Sequence, residues 1–467
     1  MNKLTARNRK LVYAVGILVL LVPIVLLGAP VSEDIDLGQG KRESGGSLAR
    51  MRIEHDLGEA TLGEIDATSA ALNLVLLGLR GPAAGYLHME AVRYQERKDW
   101  ARLKSTVESI IKLQPHYVKI WEFQGWNLAF NVSREWDRAA DRFFWVKEGV
   151  KFLQTGTSRN QTSSLLFHNV GDFLGRKFGM SDEKRFFRKW FRNDPDVDKW
   201  SGGADSVINP DSIDNFLMAR KWFQEANDKA DMYGITGKAP LIFKQGPSRA
   251  LLDYGGALQE DGRFDEASDE WGNALTAWTK EYGGIEFYGL YNIKYKLENG
   301  EGEVEKFAAE NGVDPERQRL VIQHNQEIVN YTFWKALAEC ENDPDMAATR
   351  KTLGLAKEAW ANAETSEEEV GDGVVKPSKA ESLFWDAMQG MQTIMDRYEN
   401  KGLHLHVEYL EEAMLAIFYY QQIRISNGHD AEEGENAALP ADFPLKKVWE
   451  ENQGLIPQIR DRFARGL

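Results

Sequence analysis

The chain has 467 residues, 43% of them hydrophobic, with a net charge of -15 and a pI near 5.2. This length allows one extended array of helical units or two to three compact domains. The acidity argues against a nucleic-acid role, because phosphate contacts need a basic face. Cys340 is the single cysteine, so no intramolecular disulfide can form.

The first predicted element is a membrane segment. Leu11 to Leu27 is uncharged and almost wholly apolar, and two small residues extend it to Ala29. Residues 11–29 are just long enough to cross a bilayer as one helix, and Pro23 is tolerable there. Lys3, Arg7, Arg9 and Lys10 precede the run while Glu33, Asp34 and Asp36 follow it. The positive-inside rule then places residues 1–10 in the cytoplasm and the main domain outside it, as in a periplasmic protein. A cleaved signal peptide is the alternative, although Pro30 directly after Gly28-Ala29 suits cleavage poorly.

Residues 30–66 are rich in Gly, Ser and charge and read as a flexible tether. Residues 67–467 read as one all-α domain. Ala67 to Leu79 is apolar, too short to span, and reads as a buried first helix. Residues 84–115 form a helical hairpin in which Asp99 caps the second helix and Pro115 closes the unit. Residues 118–153 form the next, opening on Trp121 and Gly125 at the Trp-x-x-x-Gly spacing of a tetratricopeptide (TPR) first helix. Arg185 to Arg192 (RFFRKWFR) is basic and aromatic together, and reads as a helix that buries its aromatic face. A basic amphipathic surface helix is the alternative. Residues 193–213 read as a long loop.

The clearest repeat is 248–281, matching the 34-residue TPR pattern almost position by position. Leu251, Tyr254, Gly255, Ala267, Trp271 and Ala274 take the structural positions of the two helices, with Gly262 in the turn and Phe264 just after it. Gly255 and Ala267 leave room for the helices to cross, and the bulky side chains fill the space between neighbours. Such a unit cannot bury its apolar face alone, which implies stacked partners and an α-solenoid, irregular around 180–245 where the register is lost. Beyond it, 307–312 reads as the end of a short helix stopped by Gly312, 315–338 as one longer helix, and 344–363, 382–398 and 405–425 as further helices. Cys340 follows the apolar 334–338 stretch and reads as a buried structural thiol. The expected fold is therefore an all-α, TPR-like helical-hairpin solenoid preceded by one N-terminal transmembrane helix.

Three stretches carry a resemblance. They are Trp121 to Asn131 with Val132 and Ser133, Trp145 to Val150, and Asn160 to Gly179. Together they resemble a class of bacterial single-span membrane proteins with a TPR-like extracytoplasmic domain of unassigned biochemical role. The resemblance covers residues 67–180, continues weakly through 305–313, and implies a fold and a topology without implying a catalytic residue.

Candidate chemistry is sparse. His404 and His406 are the one close histidine pair and so the weak metal candidates. On a helix that spacing points the rings about 200° apart, too far to share an ion. His88, His116 and His168 read as packed or surface residues. There is no G-x-S-x-G, P-loop or G-x-G-x-x-G. No cofactor and no catalysis are expected. The tryptophans read mainly as core. The sequence thus predicts a membrane-anchored extracytoplasmic scaffold or adaptor that binds a protein partner in an envelope assembly. The alternative is a carbohydrate- or polymer-binding module linked to export or secretion.

Overall fold

The computed structural model describes residues 80–235, 237–369, 375–402, 407–429 and 439–465, together with Val15, Gly16, Val19 and residues 32–33 and 43–44. These residues are helical apart from turns and three two-residue antiparallel pairs: 32–33 with 43–44, Phe287–Tyr288 with Lys294–Tyr295, and Glu368–Glu369 with Val375–Lys376. The chain divides into two compact units. The first takes the described residues up to Ser212 with Glu225–Gly237, and the second takes Ile213–Gln224 with the residues from Lys238 onward.

In the first unit, α1 (Arg80–Glu96) and α2 (Trp100–Leu113) form a hairpin. Leu103, Val107 and Ile110 recur at helical spacing and are buried, and the Asp99 carboxylate accepts from the Arg102 N–H at 3.2 Å. Next come α3 (Val118–Trp126) and α4 (Ala139–Arg159), whose backbones touch. A Cβ on Gly149 would lie 2.8 Å from the Gly125 carbonyl oxygen, and one on Gly156 would lie 3.0 Å from the Trp121 ring. Trp121 is locked from its other end, its indole N–H donating to the Pro115 carbonyl at 2.9 Å. The chain continues through α5 (Ser164–Asp172), α6 (Lys184–Arg192) and the short α7 (Val197–Trp200). On α6 Phe187 and Phe191 are buried together with Arg188, while Phe186 is exposed, so only part of the aromatic face packs inward.

Residues 213–224 of the second unit supply the first turns of α8 (Asn215–Tyr233). Then follow α9 (Pro240–Lys244), α10 (Gly246–Glu260) and α11 (Phe264–Thr276). A Cβ on Gly255 would come within 2.9 Å of the Trp271 ring, and Leu251, Tyr254, Ala267, Trp271 and Ala274 are all buried. Gly262 lies in the exposed turn, and Phe264 lies against Gly354 of a later helix. After a two-stranded hairpin come α12 (Glu303–Asn311), which stops at Gly312 with φ 66, and α13 (Pro315–Ile328). The final helices are α14 (Tyr331–Glu341), α15 (Pro344–Ala361), α16 (Lys379–Arg397), α17 (Val407–Ser426), α18 (Lys446–Glu451) and α19 (Ile456–Ala464). The single helix predicted over 315–338 is two, because Asn330 takes φ 51 and breaks it.

The TPR-like solenoid is not what forms. Having paired with α10, α11 packs on α14 and α15, with a hairpin and two helices intervening in sequence, so the stacking is long-range rather than neighbour on neighbour. Three helices also end in π-helical turns, at Asn127–Val132, Phe173–Lys177 and Ala277–Tyr282. The i→i+5 bonding of each turn shifts the side-chain phase and breaks a fixed repeat.

The membrane expectation is also corrected. Among the described residues no helix is long and apolar enough to cross a membrane. Residues 11–29 lie outside them except for Val15, Gly16 and Val19, as do 67–79 and nearly all of 30–66. The single-span class that 121–179 resembles, the single-pass periplasmic topology, the envelope scaffold with its membrane-held protein partner and the export-linked carbohydrate module all require that anchor. No described helix supports them.

The α10–α11 crossing gives a stability test. Gly255→Leu places a side chain into the Trp271 ring and should destabilise the chain by about 1–3 kcal/mol. Gly256→Ala, whose Cβ would sit 3.9 Å from the same ring, should be tolerated. Thermal unfolding of both variants checks this, and equal midpoints would show that the crossing is not tight.

Candidate functional site

In the first unit α3 turns one face inward and another outward. Ile120, Trp121, Gln124 and Gly125 are buried. Lys119, Glu122, Phe123 and Trp126, at helical spacing on the opposite side, line a cleft of about 510 Å³. From α5 and its π turn come Asn169, Asp172 and Phe173, again three and four residues apart, and Leu153 of α4 joins them. His88 of α1 and Tyr117 complete the walls.

The cleft is aromatic on several sides. Trp126 is half exposed and stacks on Phe130 with ring centres 3.8 Å apart and planes 9° from parallel. Phe173 meets the same indole edge-on at 6.3 Å, and His88 sits edge-on to both Tyr117 and Phe123. Behind Phe130 the Lys177 ammonium lies 4.8 Å from the ring centre. Burial lowers the Lys177 pKa below its ordinary value, with nearby Glu183 opposing.

The polar groups are tied to one another. Glu122 accepts from Asn169 at 2.8 Å and from Lys119 at 2.7 Å. Asp172 pairs with Arg176 one turn on at 2.9 Å. The Nδ1 atom of His88 is buried without a hydrogen-bond partner, which leaves one unmet polar atom on a cleft residue.

Two other polar clusters are closed. In the first unit Lys147 pairs with Asp194 and, at 3.4 Å, with Asp205, which also takes Lys151 at 2.8 Å. All but Lys151 are almost fully buried, and they pin the 193–212 segment to α4. In the second unit the Arg350 guanidinium holds Glu341 with two hydrogen bonds at 2.6 and 2.8 Å and Glu412 with a third at 2.8 Å. Gln259 and Tyr409 donate to the same Glu341 carboxylate. Burial, with Glu341 beside it, raises the Tyr409 pKa. Burial also pushes the neighbouring Cys340 thiol up to about 12, as befits a structural thiol.

The residues singled out in the sequence lie elsewhere. Trp121 and Gly125 lie in the α3–α4 crossing, and Gly255 and Trp271 meet at the α10–α11 crossing. His404 and His406 lie outside the described residues, among which no group of His, Cys, Asp and Glu could hold a metal ion. The Nδ1 atom of His116 meets the Arg159 carbonyl at 2.7 Å, and His168 is buried in α5. Glu122, Trp126 and Asn169 all stand in stretches quoted for the family resemblance, which gives none of them a role. Their one local signal is the 119, 122, 123, 126 spacing beside an equally spaced inward face. No family model matches this sequence, and no curated protein matches it either.

The Arg350 network carries a pH dependence. Burial pushes the Glu412 carboxyl up, but Arg350, with Lys357, outweighs it and holds it below the ordinary 4.5. A carboxylate held low when folded contributes stability above its unfolded value, and that contribution is lost as pH falls through the folded one. Glu412→Gln should therefore lower stability near neutrality and flatten its decline on acidification below 4.5. Denaturant unfolding across that range measures the slope, and a slope equal to that of the parent chain would contradict the assignment.

Proposed function

We propose that this protein is a non-catalytic helical binding protein whose first-unit cleft takes a small organic molecule with a flat or compact apolar part. The carrying observation is Trp126. One face of its indole is covered by Phe130, and half of the side chain remains exposed at a cleft of about 510 Å³. A large half-exposed aromatic beside a concave wall is a costly surface to leave in water, and a stacked ligand recovers that cost.

The polar pattern supports binding over chemistry. Glu122 is held by Lys119 and Asn169, and Asp172 by Arg176. Neither carboxylate is paired with a nucleophile or poised as an acid against a base. The same commitments leave few free donors for a ligand rich in hydroxyls. Shape and aromatic contact thus supply the recognition.

The test is saturation-transfer NMR on the full chain with indole, benzamidine and maltose as probes. Indole or benzamidine should bind saturably, and Trp126→Ala should weaken that binding by roughly two- to tenfold, the worth of one stacking contact. Binding of maltose alone, or aromatic binding indifferent to Trp126→Ala, would overturn the reading.

A further inference from the structure

The charge on the cleft wall narrows the ligand class, an inference that rests on the reading of the cleft as a binding site. We infer that the cleft selects an organic cation, an alkylated or quaternary ammonium group seated against Trp126 within reach of the Glu122 and Asp172 carboxylates.

Three observations lead there. The lining carries two carboxylates, Glu122 and Asp172, against one cation, Lys119. Lys119 is 66% exposed, and Arg176, the partner of Asp172, is 72% exposed and is not a lining residue. Both cationic side chains are thus mostly exposed, although each head is bound to its carboxylate, while the carboxylates are largely shielded, at 18% and 26% exposure. A neutral or anionic ligand would desolvate those carboxylates without recompense.

The aromatic walls point the same way. Trp126, Phe173, Phe123 and Tyr117 border one space, and ring faces carry negative potential that attracts a cation lacking strong hydration. The molecule already uses this contact next door. Phe130 has Trp126 stacked on it and the Lys177 ammonium 4.8 Å from its centre. The open face of Trp126 is the equivalent position on the cleft side, with carboxylates nearby in place of lysine. An ammonium bearing methyl groups matches such a wall, since it has no N–H to satisfy where Asn169 and Lys119 are already engaged with Glu122.

The experiment compares choline with dimethylbutanol, its uncharged carbon isostere, by isothermal titration on the full chain. Choline should bind saturably and at least about tenfold more tightly than the isostere, with the preference shrinking as salt is raised. Asp172→Asn should weaken choline several-fold and leave the isostere unchanged, with thermal unfolding used to confirm that the variant folds. Equal affinity of the two probes overturns the charge selection and leaves the binding cleft standing, as does indole binding that depends on Trp126 without any binding of choline. If choline, dimethylbutanol, indole and benzamidine all fail to bind, the binding-cleft reading falls as well. The choline-to-isostere ratio is measured on the parent chain, so it remains decisive even if Asp172→Asn does not fold.

Discussion

The first unit depends on a helix crossing with almost nothing between the backbones. Gly149 meets the Gly125 carbonyl and Ala129, and Gly156 meets Trp121, each at a distance that one added carbon would violate. Contact this close removes the rotational freedom that helices packed through long side chains retain. With α3 fixed about its axis, Ile120, Trp121 and Gln124 must go inward and Glu122, Phe123 and Trp126 must go outward. The cleft wall is thus a by-product of the crossing. The π turn that starts at Asn127 then sets the last piece. Its wider winding brings residues four apart nearer to alignment along the axis, and Trp126 and Phe130 end up nearly parallel and in van der Waals contact.

The buried ion clusters and the cleft differ in one physical respect. Desolvated charges cost several kcal/mol each unless their partners are well placed. Lys147 with Asp194 and Asp205, and Arg350 with Glu341 and Glu412, meet that condition inside their own units. They specify which segment lies against which helix. Glu122 and Asp172 also have partners, yet they border open volume. Ionic groups in the first setting hold structure, and in the second they edge a cleft while held by Lys119, Asn169 and Arg176.

Local features were the legible ones. The Asp99 cap and the Gly312 stop each follow from residues a few positions apart, and each is present. The error lay in extending one well-formed hairpin into an array. The pattern at 248–281 constrains the crossing it describes and says nothing of which helix packs on α11 next. That choice falls to α14 and α15, where Gly354 admits Phe264 and Asn342 lies against Gly272. The π turns and the break at Asn330 were illegible for a related reason. Asn127–Val132 has ordinary helix-compatible residues, and nothing in its letters separates a π turn from an α one. The cleft residues were visible as letters, but separating a packing Trp121 from a lining Trp126 requires knowing which face of α3 is covered.

The acidity of the chain invites a broader electrostatic account of the cleft, and magnitudes decide against it. A net charge of -15 creates a field that favours cations over the whole surface. At physiological salt that field decays over about 8 Å, so charges on distant helices contribute little at a given point. The carboxylates of Glu122 and Asp172 line the cleft itself and are partly shielded from water, where the effective dielectric is lower and each interaction is stronger. The ring faces act at shorter range still. Any preference for a cation is therefore set by a few side chains on α3 and α5, whose placement goes back to Gly125 and Gly149. Replacing acidic residues elsewhere on the surface would change solubility and long-range attraction while leaving the contact terms in the cleft intact.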